Sequence, residues 1–328
     1  MLSILTIFAL QTYDQFTSPM RESIQSSHPI IQLLVFLLFG FIAMIVLAGI
    51  ALIPFLIAGY GIETLGAGQS LSESDTGAIF MLKVMQMAQA VGLFIVPYLM
   101  YRWLLKEDEY KVFSLPYVGV FSALIFGAAM FSAFPLINFL ASWNADLTFP
   151  IESIDQWIQK TETGAEHLIK LFLATDSAAG LVFNLVLIAL IPAVGEELLF
   201  RGTFQPLMLK SFKGNYHLAI WVTAFWFSFI HLQFLGFFPR LLLGAILGYA
   251  AHWSGSLILP MIGHFTNNAL AVLVAYFVGL DALDSDAEMI GSTSDQLQLV
   301  LMSTVLLVGG MFLVYRDSNF RANSNLEA

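Results

Sequence analysis

Long apolar runs separated by short polar stretches dominate this chain. Eight of them stand out, at about 30–58, 78–103, 118–142, 178–200, 217–236, 239–254, 257–280 and 297–315. Most approach the roughly 20 residues that a membrane-crossing helix needs. Strands of a membrane barrel would instead show short stretches of alternating polarity. The sixth run is short and begins at Arg240. The longest connection, 144–177, carries Ile151, Ile154, Trp157 and Ile158, then Leu168, Ile169 and Phe172, at helical spacing. It reads either as an amphipathic helix on the outer leaflet or as a solvent loop. The first ten residues are apolar without a basic leading segment, which predicts an interfacial helix rather than a cleaved signal peptide.

Composition agrees with the pattern. Of 328 residues, 58% are hydrophobic and 11% charged, and the mean hydropathy is +0.81. Soluble domains carry roughly 25% charged residues. The expectation is an all-α, polytopic membrane protein with about eight transmembrane helices around a membrane-embedded cavity. Lipid imposes this, because each backbone polar group must be paired within its own segment or within a closed barrel. Four regions follow: an N-terminal segment (1–29), three helices with a long outer loop (30–177), a core (178–280), and a last helix with its tail (281–328). The chain has no cysteine, which excludes disulfides, thiolate metal sites and a cysteine nucleophile.

Lys and Arg in the flanks set the orientation. With the N-terminus inside, Arg21, Arg102, Lys106, Lys111, Arg201, Lys210, Lys213, Arg316 and Arg321 fall on the inner side, against Lys160, Lys170 and Arg240 outside. Both termini are therefore expected in the cytoplasm, and the membrane is expected to be a bacterial cell membrane. The net charge of −10 owes much to acidic loops such as 281–288, which then face outward. Lys83 lies within the second span and is expected to snorkel or to pair.

Three polar clusters interrupt the apolar runs. Glu196, Glu197 and Arg201 close the fourth run. An ionisable side chain at such a depth costs about 2.5–3.5 kcal/mol even on the lenient insertion scale, so these groups need partners or a task. Adjacent residues project about 100° apart on a helix, so the two glutamates cannot serve one point equally. Glu197 stands four residues before Arg201, the favourable order for an ion pair, which leaves Glu196 to face a cavity. A desolvated carboxylate is a better general base near neutral pH. The competing reading is a helix end that snorkels its charges into headgroups.

Phe227 and His231 share a helical face, as do His264 and Asn268. His231 suits hydrogen bonding to substrate or to a water shared with Glu196, or else a bridge between helices. His264 and Asn268 both suit donation to an oxyanion, and an Asn also commonly bridges membrane helices. Pro192 and Pro260 precede Glu196 and His264 by four residues each; a proline frees a carbonyl one turn earlier and can kink the helix. Gly244 and Gly248 form a GxxxG, which permits close helix packing.

Together the three clusters, Glu196-Glu197-Leu-Leu-Phe-Arg201, Phe227-Ser-Phe-Ile-His231 and His264-Phe-Thr-Asn-Asn268, resemble the CAAX prenyl endopeptidase and bacteriocin-processing family of intramembrane proteases, also called CPBP or Abi. The resembling region covers about 178–280. It implies peptide-bond hydrolysis, with Glu196 and His231 activating water, His264 and Asn268 stabilising the oxyanion, and Glu197, Arg201 and Phe227 in support. The partners implied are the lipid bilayer and a membrane-associated peptide or protein substrate, with no nucleic acid. No cofactor is favoured. The metal alternative is zinc held by Glu196, His231 and His264 with an open fourth position, although the His-Glu-xx-His pairing of metalloproteases is missing. Two other functions compete: a non-hydrolytic scaffold or immunity protein on the same fold, and an ion- or proton-coupled transporter. The clustering of buried charge at one depth favours the enzyme over the transporter.

Overall fold

Helix α1, Pro29–Ile57, starts where the His28 side chain accepts the Ile30 N–H and Pro29 takes the first turn, a position at which its missing N–H costs nothing. It ends before Gly59, whose φ of 92° suits glycine. The computed structural model describes residues 19, 21–65, 71–72, 74–105, 118–283 and 290–324. The first ten residues, Lys106, Lys111 and most of the acidic loop after Asp281 lie outside these. The described residues form helices and no strands.

After α1 come α2 (Thr76–Ala90), a π-helical turn (Val91–Ile95) and α3 (Val96–Leu104), which together make one membrane-length segment. Helices α4 (Val120–Ser132) and α5 (Phe134–Ala145) form the next, broken at Ala133 just before Pro135. Helix α6, Glu152–Leu173, is amphipathic. It occupies the connection that the spacing left open between helix and loop. Helices α7 (Ala178–Asn184), α8 (Ile191–Leu199) and α9 (Gln205–Ser211) run on through two π segments, Leu185–Leu190 and Phe200–Phe204. Then follow α10 (Tyr216–Phe229), α11 (Phe237–Ser254), α12 (Ile258–Phe277) and α13 (Leu297–Ser324).

Seven described segments are long and apolar enough to cross a membrane, and the chain is a multi-pass, all-α membrane protein. The eighth expected span differs. The run 217–236 becomes the 14-residue α10, about 21 Å long at 1.5 Å per residue. It ends at Phe229, and three residues on Leu232 adopts φ 53°, which turns the chain off the helical path. The next helix then begins at Phe237, earlier than the expected 239. Irregular backbone at such depth is tolerated where protein surrounds it, and here three elements do so. Asn144 of α5 donates to the Phe234 carbonyl at 2.9 Å and accepts the Phe238 N–H at 2.8 Å. Glu162 of α6 accepts the Leu235 N–H at 2.9 Å. Arg240 of α11 donates to the Gln233 carbonyl at 2.6 Å.

The fourth expected span also changes. It runs unbroken from Ala178 to Ser211, 34 residues, so Glu196, Glu197 and Arg201 lie mid-segment. Arg201 is fully buried and leaves the set of flanking charges that supports the orientation. Lys83 does not snorkel: its ammonium meets the Asn184 side-chain oxygen at 3.2 Å, with the rings of Phe172 and Phe183 nearby. Asn184 in turn donates to the Leu173 carbonyl at 3.0 Å.

The core gathers around the site. Phe200, Leu207, Phe227, Leu247 and Leu259 belong to one buried cluster. Outward faces carry exposed Ile42, Val46 and Ile50 on α1 and Val305, Val308 and Phe312 on α13, as lipid-facing surfaces require. The GxxxG brings α11 against α10. A Cβ at Gly244 would lie 3.0 Å from the Ala224 Cα, and one at Gly248 2.8 Å from the Ile220 side chain.

Candidate active site

Glu197 is the centre of a buried charge network. Its Oε1 accepts from Arg201 Nη1 at 2.6 Å and from His264 Nδ1 at 2.8 Å. The i, i+4 ion pair expected from spacing is present, with both side chains fully buried. Exposure of zero argues against the headgroup reading of this pair, because a snorkelling charge reaches water. The second guanidinium nitrogen, Arg201 Nη2, donates to the Gly244 carbonyl at 2.7 Å. One turn on, Gln205 Nε2 donates to the Gly248 carbonyl at 3.1 Å. Two polar side chains four residues apart thus match two glycine carbonyls four residues apart. The glycines allow the close approach and leave those carbonyls open to Arg201 and Gln205. Sequence reading noticed the glycines and Arg201 but missed Gln205; the equal spacing of the two pairs is the signal that could have revealed it.

Phe227 packs among the charged groups. Its ring centroid lies 5.2 Å from Phe200, 5.4 Å from His231 and 5.7 Å from His264, and the Arg201 guanidinium sits 4.9 Å above it. It therefore excludes water on one side while offering its π face to the cation. Its carbonyl also meets His231 Nδ1 at 2.7 Å. That contact fixes the tautomer: Nδ1 carries the proton and Nε2 is left as an acceptor. His231 itself follows the end of α10 and sits in a turn, so it does not share a helix face with Phe227 as the spacing suggested. The turn nevertheless returns it to the same ring.

Glu196 and His231 line one cavity of about 270 Å³, together with Met87, Leu93, Leu187 and Pro192. Glu196 Oε2 is buried and has no hydrogen-bond partner among the described residues. His264 Nε2 lies 3.9 Å from that oxygen, so the imidazole stands between the two glutamates. Asn268 bonds to groups outside this network. It donates to the Ile188 carbonyl at 3.4 Å and accepts from the Asn267 amide at 3.2 Å. Ile188 lies four residues before Pro192, and proline has no N–H to return to that carbonyl. The structure thus brings Glu196, Glu197, Arg201, Phe227 and His264 into contact and places His231 across the cavity. His264 and Asn268 share no hydrogen-bond partner among the described residues.

Among the described residues no three His, Asp or Glu side chains are disposed to hold a metal ion. Of the three expected ligands, His264 holds Nδ1 on Glu197 and His231 holds Nδ1 on a backbone carbonyl, which leaves Nε2 of each as the nitrogen a metal would take.

Comparison with known proteins points the same way as the motifs. The uncharacterized protein YpbD of Bacillus subtilis (strain 168) is 28% identical over 91 residues. That stretch covers 26% of this chain and 43% of YpbD, so the match spans less than half of the relative. No solved structure matches. Residues 178–270 match the family described as type II CAAX prenyl endopeptidase Rce1-like. All three polar clusters fall inside that stretch.

Proposed function

We propose that this protein is an intramembrane endopeptidase in which Glu196 and His231 activate water. One observation carries the reading: Glu196 and His231 face a single cavity, while the neighbouring carboxylate, Glu197, is already committed to Arg201 and His264. This division of labour between adjacent glutamates is what general-base catalysis requires. Each glutamate keeps one oxygen without a partner among the described residues, but of the two Glu196 lines the cavity and Glu197 is held as a fixed counter-charge.

In the proposed reaction, water donates its proton to Glu196 as its oxygen attacks the scissile carbonyl. His231 Nε2 accepts the water's second hydrogen in a hydrogen bond and orients the attack. The tetrahedral oxyanion is stabilised by His264 Nε2–H and by the N–H of Asn268 not given to Ile188. Glu196 then passes its proton to the departing amine as the C–N bond breaks. With Nδ1 already donating to Glu197, His264 can also donate from Nε2 only as an imidazolium. In that state Arg201 and His264 balance Glu196 and Glu197, and the cluster is neutral. Neutrality suits a buried network, where uncompensated charge is costly.

The substrate class is a membrane-associated peptide. The family's description makes a prenylated C-terminal peptide the first to test. Purified protein in nanodiscs should cleave such peptides, with new termini identified by mass spectrometry. Glu196→Gln, which keeps shape and removes the base, should abolish cleavage while leaving folded yield unchanged. Near-wild-type turnover in that variant would remove Glu196 from the role. An inactive wild type across prenylated and unprenylated membrane peptides would reject the endopeptidase.

A further inference from the structure

Two glutamines that the mechanism does not use line the same cavity. Gln86 and Gln89 of α2 are three residues apart and project from one helical face with Ala90 and Leu93. Both are exposed, and neither has a hydrogen-bond partner among the described residues. Every other glutamine or asparagine discussed above is engaged: Gln205 on Gly248, Asn184 between Lys83 and Leu173, Asn144 on the loop after His231. An amide with no protein partner is out of place on an apolar span, and two at i and i+3 opening on the cavity of Glu196 and His231 mark a surface that takes a polar ligand.

We propose that Gln86 and Gln89 form a main-chain recognition site that holds the substrate as an extended peptide. The inference rests on the endopeptidase reading of the cavity and names how that site grips its substrate. Each carboxamide offers donors and an acceptor, which is what an unpaired peptide group needs on both its C=O and its N–H sides. A substrate still folded as a transmembrane helix has those groups bonded internally and gains nothing from the pair. An unwound segment gains a hydrogen bond at each glutamine. The remaining wall is apolar, with Met87, Leu93, Leu187 and Pro192, and carries no Lys or Arg. A lipid phosphate would therefore meet Glu196 without a compensating cation, whereas a neutral peptide backbone with apolar side chains matches every group present. The site so defined selects for local unwinding beside the scissile bond rather than for a particular side chain.

The test separates binding from cleavage. The Glu196→Gln protein in nanodiscs is titrated with a fluorescein-labelled leucine–alanine membrane peptide carrying a central Asn-Pro break. The same peptide N-methylated at the backbone amides flanking the break serves as the second probe. With one net hydrogen bond at each position, Gln86→Leu and Gln89→Leu should each weaken binding about fivefold, and the pair about twenty- to thirtyfold. N-methylation should weaken binding to the parent and have little further effect on the double variant, the signature of a shared interaction. An unbroken leucine–alanine helix should bind the parent no better than it binds the double variant. Equal binding of the N-methylated and plain peptides, or no binding by the parent, overturns the proposal. In otherwise wild-type protein the same substitutions should raise KM and change kcat little. Glutamine-dependent binding without any cleavage would sink the endopeptidase reading alone; cleavage with an unchanged KM in the double variant would sink the main-chain site alone.

Discussion

The side-chain amide of Asn268 donates to the backbone carbonyl of Ile188, the carbonyl that Pro192 cannot serve in the ordinary i to i−4 sense. The proline turn that precedes Glu196 is thus tied to the helix that carries His264. This gives Asn268 a second task next to its proposed place at the oxyanion, and the two tasks can be separated. Asn268→Ala should cost about 1 kcal/mol of stability for the lost hydrogen bond and about a hundred- to a thousandfold in turnover for the lost oxyanion donor. In a Pro192→Ala background the N–H returns to the chain, and the stability loss should shrink while the turnover loss remains. Melting temperature and kcat measured on the four proteins decide. A turnover loss that vanishes together with the stability loss would make Asn268 a helix bridge only.

Glu197→Ala and Arg201→Ala should each lower the folded yield strongly. Removing one partner of a buried pair strands the other, at a cost of about 3–5 kcal/mol. The double variant should lose less than the sum. Glu197→Ala should be the worse of the two, since Glu197 also holds His264. Strictly additive losses in thermal unfolding would mean that the pair carries no coupling.

Glu162 has no part in the proposed reaction yet fixes the loop after His231 through the Leu235 N–H. Misplacement of a catalytic group by about 1 Å can cost a hundredfold in rate. Glu162→Ala should therefore reduce kcat by about ten- to a hundredfold with little change in KM. Glu162→Gln keeps an accepting oxygen and should restore most of the activity. Equal defects in both variants would show that the carboxylate charge, and not the hydrogen bond, matters.

Because no trio of ligands is disposed around a metal among the described residues, prolonged chelation is expected to leave turnover unchanged. Metal analysis of the purified protein should find well under one zinc per chain. Activity that falls on chelation and returns with zinc would restore the ligand set of Glu196, His231 and His264.

If α10 crosses despite its length, both termini lie on one side. Cysteines placed at 60–65 and 290–296 should then label from outside, and those at 210–215 only after permeabilisation. The chain has no native cysteine, so the labelling reads cleanly. The reverse pattern would overturn the orientation drawn from the basic flanks.

The sequence by itself determined the helical, multi-pass architecture, because long apolar runs with few charges admit little else in lipid. It also determined which residues are expensive enough to matter. Glu197 and Arg201 were paired by their spacing, since i and i+4 on a helix are neighbours whatever surrounds them. Tertiary structure decided everything that depends on how separate helices meet. Only packing shows that Glu197 is shared with His264, sixty-seven residues away, that Arg201 and Gln205 read the carbonyls of Gly244 and Gly248, and that Gln86 and Gln89 share a cavity with Glu196. The turn at His231 was hidden for the same reason. The run from 217 to 236 is apolar enough to continue as helix, and Leu232 leaves that path where side chains of α5, α6 and α11 bond the loop backbone. Local periodicity records what a segment can bury. It does not record which distant side chain satisfies its backbone, and those long-range bonds set the geometry of the site.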